Sequence, residues 1–135
     1  QAKLSPELRN EALYYRAKAY TKQKADKKAM EDYRELAKDT RNPYGAEAKY
    51  QVAQSLYDAK EYAAAEKELL NYIEQSTPHA YWLARSFVLL SDVYHATGKD
   101  LDARQYLLSL QQNYQGNDDI ESMIESRLSK LKVEN

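Results

Sequence analysis

The sequence predicts an all-α protein. Three observations carry that prediction: apolar residues recur at helical spacing, the three Pro and three Gly stand between the periodic stretches or at their ends, and no segment alternates with period two. Ala65, Leu69, Tyr72 and Ile73 fall at i, i+4, i+7 and i+8, one face of a helix. Ala103, Leu107 and Leu110 repeat that spacing, as do Ala29, Tyr33 and Leu36.

Seven helices follow in order, over 6–22, 26–40, 44–59, 61–76, 79–97, 99–114 and 118–132. Ser5-Pro6 opens the first, with Ser as N-cap and Pro at the first helical position, where its missing N–H is not needed. Asn42-Pro43 and Thr77-Pro78 each close one helix and admit the next, because a residue before Pro is pushed out of the helical region. Gly98 and Gly116 stand where a left-handed residue would end a helix. Asn117-Asp118-Asp119 then supplies a further N-cap, with acids favourable against the helix dipole. In the last helix Ile120, Met123, Ile124, Arg127, Leu128 and Leu131 form a stripe suited to covering the open end of what precedes it, while Glu121, Ser122, Glu125, Ser129 and Lys132 face away.

The 135 residues suit one domain, which at this length buries roughly two thirds of the surface of its unfolded chain. A hydrophobic fraction of 43% and a charged fraction of 30% describe a globular chain, without an apolar run of membrane-spanning length. Cys is absent, which excludes disulfides and thiolate chemistry. Net charge is −1 but uneven, with +4 in residues 1–41 and −5 in the remainder. No segment reads as a targeting leader. The chain opens on Gln1, and since no cap precedes the first helix, further repeats are expected ahead of it in a longer parent.

The helices form a repeat. Ala17, Ala53 and Ser91 are spaced by 36 and 38 residues, and so are Ala29, Ala65 and Ala103, and Tyr33, Leu69 and Leu107. Each unit pairs a helix carrying small-x-x-large (Ala17/Tyr20, Ala53/Leu56, Ser91/Tyr94) with one carrying Ala-x-x-x-large. Antiparallel helices approach closely only where one offers a small side chain, and a large neighbour fills the adjoining space. One such pair cannot cover its own apolar face, so units stack.

These slots, with the turn-like "ATGKD" (96–100) and Pro43 and Pro78 as closing prolines, resemble the tetratricopeptide repeat (TPR). The resemblance covers about residues 8–116, in units of about 8–43, 44–78 and 79–116 with a capping helix at 118–132. The units exceed the usual length, the first-helix Trp is missing, and Arg16 stands where Leu is common. The long unit is most similar to TPR domains of bacterial envelope proteins, which implies a periplasmic or envelope location. The family resemblance implies a right-handed α-solenoid and a non-enzymatic scaffold that binds a protein or peptide in a concave groove. By alignment that groove holds Tyr14, Lys18 and Thr21, then Tyr50, Gln54 and Tyr57, then Arg85, Asp92 and His95. Two readings of the groove tyrosines stand: rigid binding anchors with a polar tip, or amphipathic residues tolerated in a half-exposed groove. Tyr14, Lys18, Tyr50 and Gln54 occupy the slots of the family's carboxylate clamp, which disfavours that partner class.

Other chemistry has thin support. Asp92 and His95, at i and i+3, could place two metal ligands together, but no second pair joins them, and an ordinary exposed pair is the preferred reading. No phosphate-cradling loop and no nucleophile triad is visible, so no cofactor, no catalysis and no small-molecule substrate are expected. "KAYTKQKADKK" (18–28) could track a phosphate backbone, making nucleic-acid binding through the basic N-terminal third the alternative function. A solvated turn is the preferred reading of that run. Tyr20, Tyr33, Tyr72 and Tyr94 are assigned to the core, and Trp82 to packing beneath the preceding helix pair.

Overall fold

The computed structural model describes residues 5–131. Among these are seven helices and no strand: α1 (Pro6–Lys22), α2 (Asp26–Leu36), α3 (Pro43–Asp58), α4 (Tyr62–Glu74), α5 (Ala80–Ala96), α6 (Asp100–Asn113) and α7 (Ile120–Leu128). Lys132, expected on the outer face of the last helix, lies outside the described residues. The starts agree with expectation to within two residues. At α1 the Ser5 Oγ accepts from Leu8 N–H at 3.2 Å, and at α3 the Asn42 Oδ1 accepts from Gly45 N–H at 2.7 Å. At α7 the acids work differently. Asp119 occupies the N-cap position without a side-chain cap bond, while Asp118 Oδ1 accepts from Ile120 N–H at 3.0 Å.

Several ends are shorter than expected, most of all α7, which stops at Leu128 instead of reaching residue 132, and α2, which stops at Leu36 instead of reaching residue 40. Beyond it Thr40 is buried and joined to the next corner of the chain. Its Oγ1 donates to Gln75 Oε1 at 2.8 Å, and its carbonyl accepts from Thr77 Oγ1 at 2.6 Å. These contacts across 35 and 37 residues withdraw Thr40 from the helix it would otherwise extend.

The turns inside the three pairs share one geometry. Lys24, Lys60 and Gly98 are left-handed, with φ of 60°, 62° and 80°. The next residue's N–H (Ala25, Glu61, Lys99) reaches back five residues to the carbonyl of Tyr20, Leu56 or Tyr94 at 2.8–2.9 Å. This is the helix-ending motif that favours Gly, and the chain places Lys there twice. Gly116, by contrast, is not left-handed: α6 ends at Asn113 and passes into an extended Tyr114, so the expected Gly116 cap is corrected. A left-handed L-residue costs about 1–2 kcal/mol. Lys60→Gly is therefore expected to stabilise the protein by about 1 kcal/mol after the extra entropy of Gly in the unfolded chain is subtracted. Thermal denaturation checks this, and Gly98→Ala should move the midpoint the other way.

Helices of each pair pack on one another, and α3, α5 and α7 each also pack on both helices of the pair before them. The small positions lie at the contacts: Ala17, Ala53, Ser91, Ala29, Ala65 and Ala103 are all 4% exposed or less. Tyr33, Leu69 and Leu107 fill the adjoining space, at 6%, 0% and 0%. Of the tyrosines assigned to the core, Tyr33, Tyr72 and Tyr94 are buried, whereas Tyr20 is half-buried between Arg16 and Lys28. Trp82 packs as expected, its ring centroid 5.5 Å from that of Tyr50 on α3. Arg16 forks onto buried Asp32 of α2 through Nε at 2.8 Å and Nη2 at 2.7 Å.

Tyr72 is fully buried, and its hydroxyl reaches no hydrogen-bond partner among the described residues. Burial pushes its phenol up to about 12, against a weaker opposing effect of the Thr77 hydroxyl. Because the folded value lies above the ordinary 10.0, the stability linked to this proton is complete below pH 10 and is lost as pH rises through 12. Tyr72→Phe should gain about 1 kcal/mol at neutral pH, since a desolvated, unpaired hydroxyl is removed. It should also flatten the alkaline fall in stability, which denaturant titrations from about pH 8 to pH 12 would measure.

Candidate functional site

The nine residues assigned to a groove lie on α1, α3 and α5. Six of them enter three clusters, each bridging one odd-numbered helix to the next, while Thr21, Tyr57 and His95 do not. On α1 and α3, Tyr14 Oη donates to Glu47 Oε1 at 2.8 Å and Lys18 Nζ donates to Glu47 Oε2 at 2.8 Å. The Lys18 ammonium also lies 4.9 Å from the Tyr14 ring centroid. Burial is the largest single influence on Lys18 and lowers its pKa, but the hydrogen bonds and charges of Glu47 and Tyr14 together outweigh it and hold the group above its usual value. Thr21 is exposed and turns back on its own helix, donating to the Ala17 carbonyl at 3.0 Å.

The second cluster is a chain of hydrogen bonds running from the start of α7 to α3. Tyr81 Oη donates to Asp119 Oδ1 at 3.0 Å and accepts from Arg85 Nη1 at 2.9 Å. Arg85 Nη2 donates to Tyr50 Oη at 2.9 Å, Tyr50 Oη donates to Gln54 Oε1 at 2.8 Å, and Gln54 Nε2 donates to Asp58 Oδ1 at 2.9 Å. The guanidinium carbon also lies 4.8–5.7 Å from the centroids of Tyr50, Tyr81 and Trp82. Among the described residues Arg85 has no carboxylate partner, and the aromatic faces supply its electrostatic complement. Tyr50 is only 5% exposed and belongs to the core cluster shared with Ala53, Leu89 and Val93.

In the third cluster Asp92 is held by Arg127 of α7, through Nε at 3.1 Å and Nη2 at 3.3 Å. His95 is exposed, and its Nδ1 lies 2.8 Å from Asp100 Oδ1 at the start of α6. The i, i+3 pair Asp92/His95 is therefore split between two separate partners. Among the described residues no three His, Asp or Glu side chains converge as metal ligands.

Two larger cavities open on this face, beside a small one of about 100 Å³ at Tyr50, Arg85 and Asp92. One, of about 470 Å³, lies between the first helix pair and α3, and includes Thr21, Tyr33, Gln51, Gln54 and Asp58. The other, of about 380 Å³, lies between α3, α5 and the end of α7, and includes Gln54, Tyr57, Asp92, His95, Arg127 and Lys130. Gln54 borders both. Tyr57 is half-buried and rests against Tyr62 at a centroid distance of 5.6 Å.

Glu47, Tyr81 and Arg127 belong to these clusters but are not among the residues that the repeat alignment places on the face. Glu47 carries a usable signal, since it precedes Tyr50 and Gln54 at i−3 and i−7 on the same helical face. Arg127 falls in sequence on the stripe of the last helix, but its guanidinium turns to Asp92.

Three helix pairs and a terminal helix define an all-α class compatible with a helical repeat. No protein-family model matches the sequence, and no curated protein matches it. No helix of the described residues is long and apolar enough to cross a membrane.

Proposed function

We propose that this chain is a TPR-like α-solenoid, and that it works as a non-enzymatic scaffold holding a protein or peptide segment along α1, α3 and α5. The observation that carries this reading is the pair of cavities meeting at Gln54, lined by half-exposed polar and aromatic side chains whose backbones are fixed by the buried face of the same helices. Ligand-accessible side chains on rigid elements suit recognition with little ordering cost. Two charges on this face, Lys18 and Asp92, are neutralised internally by Glu47 and Arg127, and those that line the cavities carry both signs, which favours an uncharged or mixed segment over a polyanion. The shared geometry of the three turns supports the repeat assignment.

The test is co-purification from the source organism with three baits. The first is the unaltered chain. The second carries Gln54→Ala, Tyr57→Ala and His95→Glu, none of which is fully buried. The third carries Ala63→Glu and Lys67→Glu on the exposed face of α4. Recovery of one protein by the first and third baits, and not the second, is the expected outcome. Equal recovery by the second bait would place binding elsewhere and overturn the reading.

A further inference from the structure

One face of α1 is apolar and open. Leu8, Ala12, Tyr15 and Ala19 follow one another at i, i+4, i+7 and i+11 and therefore line one side of the helix. All four are exposed, with Leu8 at 54% and Tyr15 at 59%. Exposed residues of this kind are unremarkable singly; a continuous stripe is not.

The start of the equivalent stripe is covered everywhere else in the chain. Steps of 36, 38 and 38 residues carry Leu8 to Tyr44, Trp82 and Ile120, and Ala12 to Ala48, Ser86 and Ile124. Tyr44 packs on Tyr14 at a centroid distance of 4.8 Å, and Trp82 on Tyr50 at 5.5 Å. Ile120 and Ile124 share a core cluster with Ala84, Val88, Leu107 and Leu110. In each case the cover is the helix pair before the stripe. Ala48, Ser86 and Ile124 are accordingly 0%, 0% and 2% exposed. Tyr15 and Ala19 correspond to half-buried Gln51 and Ser55 in α3, and to Leu89 and Val93 in α5, which are exposed by 2% and 1%.

We propose that the α1 stripe is a docking surface for one further helical hairpin of the chain's own small-and-large pattern, stacked ahead of α1 as each pair is stacked ahead of the next. The occupant is set by continuity with an interface the chain builds three times, in the same register each time. A second copy joined head to tail is a poor fit, because the far end of the molecule presents exposed Glu121, Ser122, Glu125 and Ser129.

The test lengthens the chain by inserting a second copy of residues 6–41 ahead of Pro6, which keeps the 36-residue step. Hydrogen exchange of α1 is then compared in the extended and unextended chains. Exchange over residues 8–19 is expected to slow by about tenfold or more in the extended chain, because helices covered on two sides open less often. Leu8→Glu with Tyr15→Lys, placed in the original α1, should abolish that slowing while leaving the unextended chain folded, since both side chains are exposed there. Unchanged exchange in the extended chain, or slowing that survives the double variant, overturns the proposal. Slowing in the unextended chain that grows with protein concentration overturns it as well, because the occupant would then be a second copy.

Discussion

Gly45→Ala is expected to destabilise the protein by about 3 kcal/mol or more, a larger cost than most single methyl additions. Gly45 sits in the first turn of α3, where a Cβ would fall on the carbonyl oxygen of Asp39 and 2.7 Å from that of Leu36. Both obstacles are backbone, and neither can swing aside like the end of a side chain. The Asp39 carbonyl is also fixed by Asn42, whose Nδ2 donates to it at 3.0 Å while its Oδ1 caps Gly45. Room for the methyl would have to come from separating α2 from α3, which would loosen the cluster that Leu36, Ala48 and Val52 share. Thermal denaturation should show a midpoint lower by about 10 °C. A loss near about 1 kcal/mol would mean that the corner relaxes without moving the helices.

Ile124→Ala should cost about 3 kcal/mol, the usual scale for truncating a large side chain in a packed core. α7 has nine residues, too few to persist as a helix without tertiary support. That support is mainly Ile120 and Ile124 packed on Ala84, Val88, Leu107 and Leu110. Hydrogen exchange read by peptide should therefore show α7 losing protection first, and with it the Arg127 clamp on Asp92. α1 to α4 touch α7 little and should keep theirs. Equal loss in all helices would show instead that the chain opens as one cooperative unit.

The sequence is most readable where a residue acts on its own backbone. Ser5-Pro6 and Asn42-Pro43 start helices by local hydrogen bonding and fixed dihedrals, and the structure starts helices there. The small and large positions are also legible, because a buried face leaves a periodic imprint. Left-handed turns at Lys24 and Lys60 leave no such signal, since Lys has no local preference for that conformation. They follow from helix pairs that must reverse within a few residues. Gly116 misleads for the converse reason: Gly permits a left-handed cap without requiring one.

The open face divides in the same way. Helical spacing alone puts Tyr50, Gln54 and Tyr57 on one face, and Arg85, Asp92 and His95 on another. What those faces meet is settled across 29 to 38 residues of chain: Lys18 by Glu47, Tyr50 by Arg85, Tyr81 by Asp119 and Asp92 by Arg127. The sequence by itself determined the helices, their pairing and the 36- and 38-residue steps, because short-range hydrogen bonding and burial periodicity act within a few turns. Only the tertiary structure decided that Tyr50 is covered, that Asp92 and His95 part to different partners, and that the α1 stripe is left open, because each depends on which distant helix arrives beside it.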